Sequence, residues 1–402
     1  MLNTYRQILT KPGSALFSAT GLVARLPISM VGLGIVLLVE DASGSYGVAG
    51  AVSAAHLLAN ALFAVLQGKL VDRLGQSRVL PVVVSVWGVA LALLMWSVES
   101  DWPTVLTYAL AVLAGASLPS VGSCVRARWS YVARDPQELQ TAFALEAVAD
   151  EAVFIVGPIL VTVLATAIHP VAGLTTALVV GVLGTYAFAA QRSTEPPPHL
   201  PTADRSERPR MPWRVLAPLG VVSTMLGVLF GAAEVATVAF AEEQDAKAYA
   251  GALLALWAAG SLIAGVLSGA VAWRRGPAYR LRWGTLAMAL VMAPLTFIDS
   301  LVVMGAVLFV AGFAVAPTLI STMSLCEQVV PAARITEGMA LLQTGLVAGV
   351  APGAALAGVL IDSRGAAAAY LVPVVGGALA VLAAQAIRTS EPTTVSPVMS
   401  HD

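Results

Sequence analysis

Long apolar stretches separated by short polar ones set the pattern of this chain. Runs of about 20 apolar residues are long enough to cross the hydrocarbon of a bilayer. The pattern predicts twelve, at 15–39, 47–67, 79–98, 103–124, 141–167, 171–190, 214–240, 249–272, 280–298, 301–324, 336–361 and 367–387. Strict alternation is absent and glycines recur at helical spacing, so the runs read as helices rather than strands. The expected fold class is an all-α polytopic membrane protein with twelve transmembrane helices. One long polar connector, 191–213, carries the prolines Pro196 to Pro198, His199 and mixed charges, and reads as a mobile linker. It divides an N-terminal six-helix bundle, 1–190, from a C-terminal one, 214–388, and leaves 389–402 as a tail.

Composition narrows the function classes. The chain is 58% hydrophobic and only 11% charged, against roughly a quarter charged in ordinary globular proteins. A net charge of −1 argues against a nucleic-acid partner. Cys124 and Cys326 end apolar runs without metal-ligand spacing, and read as buried free thiols. No cluster of nucleophile, base and metal ligands suggests an enzyme, and no cofactor is implied. The first 14 residues are too short and polar for a signal peptide, so the first apolar run is expected to stay in the mature protein.

The connectors set the orientation. With the N-terminus in the cytoplasm, 19 of the 22 basic residues fall inside; Lys247 and Arg364 fall outside, and Arg25 lies within the first span. The opposite loops carry acids such as Glu40, Asp41, Glu242 and Glu243. This bias places both termini in the cytoplasm and fits an even number of spans.

Charges inside hydrocarbon cost several kcal/mol and mark candidate sites. In the first half these are Arg25, His56, Glu146, Asp150 and Glu151. At about 1.5 Å per residue, Arg25 and the Asp150/Glu151 pair sit at a common height of roughly 15 Å above the same face. Glu146 lies one turn below Asp150. One reading is a fixed ion pair of Arg25 with Asp150 or Glu151. The other makes the surplus carboxylate a proton carrier. Span two carries a polar stripe of Ser53, His56, Asn60 and Gln67 on one helix face. It faces either another helix or a water-filled cavity, and His56 is either a proton-coupling group or a buried neutral contact. Ser29, Asn60, Glu234 and Gln343 are the candidate cavity residues; Glu234 is the clear intramembrane acid of the second half. Ser261, Gly265 and Gly269 form a small-residue face suited to helix packing.

The tight polar link between spans two and three reads Gly68-Lys-Leu-Val-Asp72-Arg73-Leu-Gly75-Gln-Ser-Arg78. Offset by 201 residues, Gly68, Arg73 and Gly75 fall on Gly269, Arg274 and Gly276. Ala114-Gly115 with Pro119 echoes Ala311-Gly312 with Pro317, and Gly157-Pro158 answers Pro352-Gly353. Three echoes in order indicate a duplicated six-helix unit. The link resembles the signature loop of the major facilitator superfamily of transporters.

That resemblance implies two pseudo-symmetric bundles working by alternating access, with Asp72 docking at the start of span eleven. It implies that Gly68, Asp72, Arg73, Gly75 and Arg78 form an inner gate, the arginines tying the loop to neighbouring helices. Arg126, near the membrane face, is similar to the family's fourth-helix arginine, with Arg128 competing for that role. Gly157-Pro158 resembles the bend motif of drug:proton antiporters, although Val153, Val161 and Thr162 stand where that motif favours glycine. The basic run after Gly75 is thinned to Gln76 and Ser77, and Trp273 replaces the acid in the second copy. The expected function is proton-coupled efflux of small amphipathic compounds by a monomer in a bacterial cell membrane. A transporter of a sugar, amino acid or lysophospholipid is the alternative, and a non-transporting receptor a more distant one.

Overall fold

A computed structural model describes residues 2–44, 46–198, 209–246, 249–271, 273 and 275–387. Expectations resting on 199–208, Lys247, Arg274 and 388–402, which include much of the polar linker and the tail, lie outside the described residues. The first half comprises α1 (Leu2–Leu9), α2 (Ser14–Arg25), α3 (Pro27–Ser43), α4 (Tyr46–Leu74), α5 (Gln76–Glu99), α6 (Thr104–Ser117), α7 (Val121–Val132), α8 (Pro136–Ala167) and α9 (Pro170–Ala189). The second comprises α10 (Trp213–Glu243), α11 (Ala250–Ala270), α12 (Pro277–Met292), α13 (Leu301–Val329), α14 (Ile335–Arg364), α15 (Ala366–Ala369) and α16 (Leu371–Ala386). Among the described residues there is no strand.

Eleven segments are long and apolar enough to cross a membrane. The twelfth position is α12, whose 16 residues tighten into the 3-10 turn Ala293–Phe297 at Pro294. Two expected spans are bent rather than continuous. The first breaks after Arg25, where Pro27 opens α3. The fourth breaks at Pro119, because a residue before proline is forced toward extended backbone, and Leu118 has ψ 120°. The chain then resumes as α7 and carries the span to Val132, eight residues beyond the expected end. Arg126 and Arg128 therefore lie buried in the bundle, 4% and 0% exposed, rather than on its surface.

Gln67 explains how the membrane tolerates the break. Its Nε2 donates to the carbonyls of Ala116 at 2.9 Å and Leu118 at 3.0 Å, and its Oε1 accepts from the Ser120 amide at 3.2 Å. Backbone groups freed inside a bilayer need such partners. The polar stripe of α4 thus faces mainly a neighbouring helix: Asn60 donates to the Gly115 carbonyl, and Ser53 to Gly32 of α3.

The duplication is visible in the packing. In the first half α3 packs on α8, α4 on α6 and α5 on α9; in the second, α10 packs on α14, α11 on α13 and α12 on α16. Each sequence echo falls at a matching crossing. A Cβ at Gly115 would stand 2.0 Å from the His56 carbonyl oxygen, and one at Gly312 would stand 2.2 Å from that of Trp257. Likewise Gly157 admits Ser29 and Gly353 admits Val228. Gly115, Gly312 and Gly353 hold the helices at backbone contact, and Gly157 makes room for the Ser29 side chain.

Candidate functional site

The two halves meet at the face that carries the Gly68–Arg78 loop. Asp72, at the end of α4, accepts from the amides of Thr336 (3.2 Å) and Glu337 (2.9 Å) in the first turn of α14. Those amides are the unsatisfied donors of a helix start, where a carboxylate is favoured. The residue before α14, Arg334, provides no side-chain cap and instead pairs with Glu337 at 2.8 Å. Gly68 makes the approach possible, since a Cβ there would stand 2.9 Å from the Glu337 Cα. Gly75 has φ +93°, the left-handed region a side chain avoids.

The loop's other anchors differ from the expected ones. Arg73 and Arg78 are exposed, and neither has an ion pair or hydrogen bond among the described residues. Arg128 is the buried cation behind the loop. It donates to Gln76 Oε1 (2.7 Å), Thr194 Oγ1 (3.0 Å) and the Phe188 carbonyl (3.1 Å), and lies over the Phe188 ring. Gln76 is therefore the buried acceptor that Arg128 requires, and the Ser77 amide binds Glu195 at 2.9 Å.

The pseudo-symmetric contact joins α8 to α11. Gln137, Gln140 and Thr141 donate to the carbonyls of Val271, Ser268 and Gly269 at 3.2, 3.2 and 2.7 Å. From α1, the Tyr5 hydroxyl donates to the Val266 carbonyl at 2.9 Å, and Lys11 holds Glu138 of α8. The deepest cross-half bond is Ser261 to Glu151 Oε2, 2.8 Å. Among the described residues, every polar contact between the halves lies between this level and the loop face. Gly50, Gly251 and Gly358, toward the other ends of α4, α11 and α14, have nothing within 4 Å of a built Cβ. The loop face is closed.

Above this closure lies a four-residue charge cluster. Arg25 donates to Glu146 (2.5 Å) and Asp150 (2.6 Å), and Arg126 donates to Asp150 (2.5 Å). Glu146 is fully buried and also accepts from Ser18 (3.0 Å) and Trp129 Nε1 (2.8 Å). The expected partner of Arg25 was Asp150 or Glu151. The structure pairs it with Glu146 and Asp150, and adds Arg126 as a second base. Two acids thus balance two bases, and the surplus carboxylate is Glu151. It points across the interface because it follows Asp150 by one residue, about 100° around the helix.

The remaining candidates separate. His56 is 1% exposed and sits at the α4–α6 crossing, outside the cluster. The Ser29 hydroxyl donates to the Val153 carbonyl at 2.8 Å, about one turn before Pro158 on α8. Glu234 is exposed, Gln343 is half-buried, and neither has a hydrogen bond among the described residues. One feature escaped the sequence reading. Trp257 of α11, one turn from Ser261, meets Phe230 edge-on with ring centroids 5.7 Å apart, and its buried Nε1 has no partner among the described residues. Phe230 lies one turn from Glu234. A tryptophan within an apolar run carries no signal of its own; its equivalence to His56 under the 201-residue offset is the clue that was present.

Two six-helix units, related by duplication and latched together on one face, define a polytopic membrane transporter. The Major Facilitator Superfamily model matches residues 17–344, and the chain belongs to that superfamily. No curated protein matches it in sequence. Among solved structures it is similar to the human organic anion transporter MFSD10 (TETRAN), with TM-score 0.70 and 17% identity over 93% of this chain and 98% of that one. It is also similar to a bacterial homologue of the iron transporter ferroportin in an outward-facing state, with TM-score 0.75, 15% identity and 92% and 98% coverage. The transporter FucP in its outward conformation gives 0.71, 13%, 95% and 99%. At these identities the likeness is one of fold, and the cargo of this chain is a separate question.

Proposed function

We propose that this protein is a proton-coupled exporter of small amphipathic compounds, cationic ones foremost, working by alternating access. The observation that carries the reading is the charge balance of the interior. Arg25 and Arg126 are matched by Glu146 and Asp150, so Glu151 and Glu234 have no cation of their own. Glu151 is half-buried between the halves, where a carboxylate withdrawn from bulk water favours holding a proton or a cation, and Glu234 is exposed to an arriving one. Glu151 also makes the deepest bond between the halves. Its proton and the closure are thereby linked: a ligand shifts an equilibrium only by binding one state better. The Phe230–Trp257 pair supplies an apolar, cation-favouring wall between the two acids.

The distribution of basic residues supports placing the loop face and both termini in the cytoplasm, which makes the closed state outward-open. Asp72 then acts as a latch rather than a proton carrier. A second reading takes an anionic metabolite as cargo, because Asp150 is 29% exposed between two arginines that its protonation would free.

Uptake of lipophilic cations and of organic anions into inverted vesicles, driven by an imposed pH gradient, separates these readings. Glu151→Gln is expected to abolish gradient-driven uptake of the cations while leaving the protein folded. Asp150→Asn is expected to lower uptake and stability together, since removing one partner of a buried pair costs about 3–5 kcal/mol. Retention of pH-driven uptake in both variants removes the coupling assignment. Uptake confined to anions establishes the second reading.

A further inference from the structure

Apart from the transport path, the closed loop face contains a cavity of about 420 Å³ that both halves build. The first half contributes the junction of α7 and α8, including Arg134, Asp135 and Gln137; the second contributes Trp273, Arg275, Arg280, Ser324 and Glu327. The Ser324 hydroxyl is buried on α13, in a side chain 7% exposed, and has no hydrogen-bond partner among the described residues. The Arg280 Nε is likewise buried and unpartnered, while its guanidinium lies 5.5 Å from the Trp273 ring centroid. Neither Arg275 nor Arg280 forms an ion pair among the described residues. Asp135 is already engaged, its Oδ1 accepting from the Gln137 and Glu138 amides at 2.9 and 2.8 Å. The α12 start beside Arg275 has no side-chain cap. Buried polar groups without protein partners are uncommon and are satisfied by water, an ion or a ligand.

We propose that this cavity binds a phosphate group, with Arg280, Arg275 and Arg134 as cationic donors and the Ser324 hydroxyl as the buried one. Arginine is suited to the task by its planar fork of N–H donors. Glu327, on the same wall, gives the site a place for an ammonium carried by the same ligand. The phosphate belongs either to a lipid headgroup at the membrane surface or to a free anion. Because the walls come from both halves, the full site exists only while the loop face is closed. Occupancy therefore favours closure, and closure favours occupancy by the same factor.

The test uses the full-length protein in detergent at constant ionic strength. Inorganic phosphate and a short-chain phosphatidylethanolamine are titrated separately, with thermal unfolding and the spin-label distance between the halves at the loop face as readouts. The expected result is saturable stabilisation with a shift toward the closed distance. Binding is expected to weaken by at least about tenfold in Arg280→Gln and to be retained in part by Arg280→Lys. Ser324→Leu fills the cavity from its wall while keeping every charge, so it tests the site even where the arginine variants fold poorly. Stabilisation by inorganic phosphate supports the site with a free anion as ligand. Stabilisation by the lipid alone, lost in the same variants, supports it with the headgroup as ligand. Stabilisation by neither, or stabilisation untouched by both Arg280→Gln and Ser324→Leu, overturns the proposal.

Discussion

The two contacts that close the loop face occupy equivalent places in the duplicated halves and use opposite chemistry. Where α4 meets α14, a carboxylate reaches across to the amides of a helix start. Where α11 meets α8, the side chains of a helix start reach across to the carbonyls of a helix end. The difference lies in who caps the first turn. Asp135 caps α8 from within its own chain segment. The cap position of α14 is Arg334, which leaves its amides to Asp72. The second copy of the loop thus carries Trp273 without leaving α8 uncapped. An acid there would find the α8 amides already occupied.

The two contacts should break differently. The largest effect is expected at Gly68, whose built Cβ meets the Glu337 backbone. Gly68→Ala should prevent closure and abolish transport, seen as loss of the short spin-label distance at the loop face. The matching Gly269→Ala meets the Tyr5 hydroxyl, which can swing away, and the Ala144 Cβ at 2.6 Å, which is fixed to the backbone of α8. It should impair closure to a comparable degree, and removing the ring with Tyr5→Ala should relieve only part of the loss. If either glycine variant closes and transports normally, the close approach at that crossing is wrong.

Asp72→Asn comes next. It removes the charge but keeps one acceptor, and should shift closure by about 1–2 kcal/mol, roughly a five- to thirtyfold change in the closed-to-open ratio. Asp135→Ala should cost a similar ~1 kcal/mol, but as stability of the α8 first turn in both states. Thermal unfolding should therefore report it more strongly than the closure distance. Thr141→Val removes one neutral bond, worth about 0.5–1.5 kcal/mol, and should have the smallest effect on transport.

The polar loop was legible in the sequence because its residues stand together in one short stretch. Local spacing and the duplicated pattern marked Gly68 and Gly75, while the docking of Asp72 on the next half followed from the resemblance of the loop to the superfamily signature. The depth of Arg126 was not legible, because hydropathy falls along α7 just where the span continues past Pro119. That single misplacement hid the charge balance: with Arg126 assigned to the surface, Asp150 and Glu151 competed for Arg25 alone. Glu146 was placed correctly one turn below Asp150, but its role depends on Trp129 and Ser18, which approach from other helices. Gln76 looked like the loss of a basic residue, and only the buried guanidinium of Arg128 explains the amide. The stripe from Ser53 to Gln67 was readable as one helix face. Which neighbour that face meets is a property of the packed halves.

The self-capped start of α8 has a consequence for how the entrance behaves once it opens. Its first turn keeps both carboxylate bonds whichever way the halves tilt, so that side of the opening stays wound and stiff. The first turn of α14 loses its foreign carboxylate on opening and is left to water. The entrance therefore has one rigid lip and one pliable lip, and hydrogen exchange at Thr336 and Glu337, unlike that at Gln137 and Glu138, should rise and fall with the transport cycle.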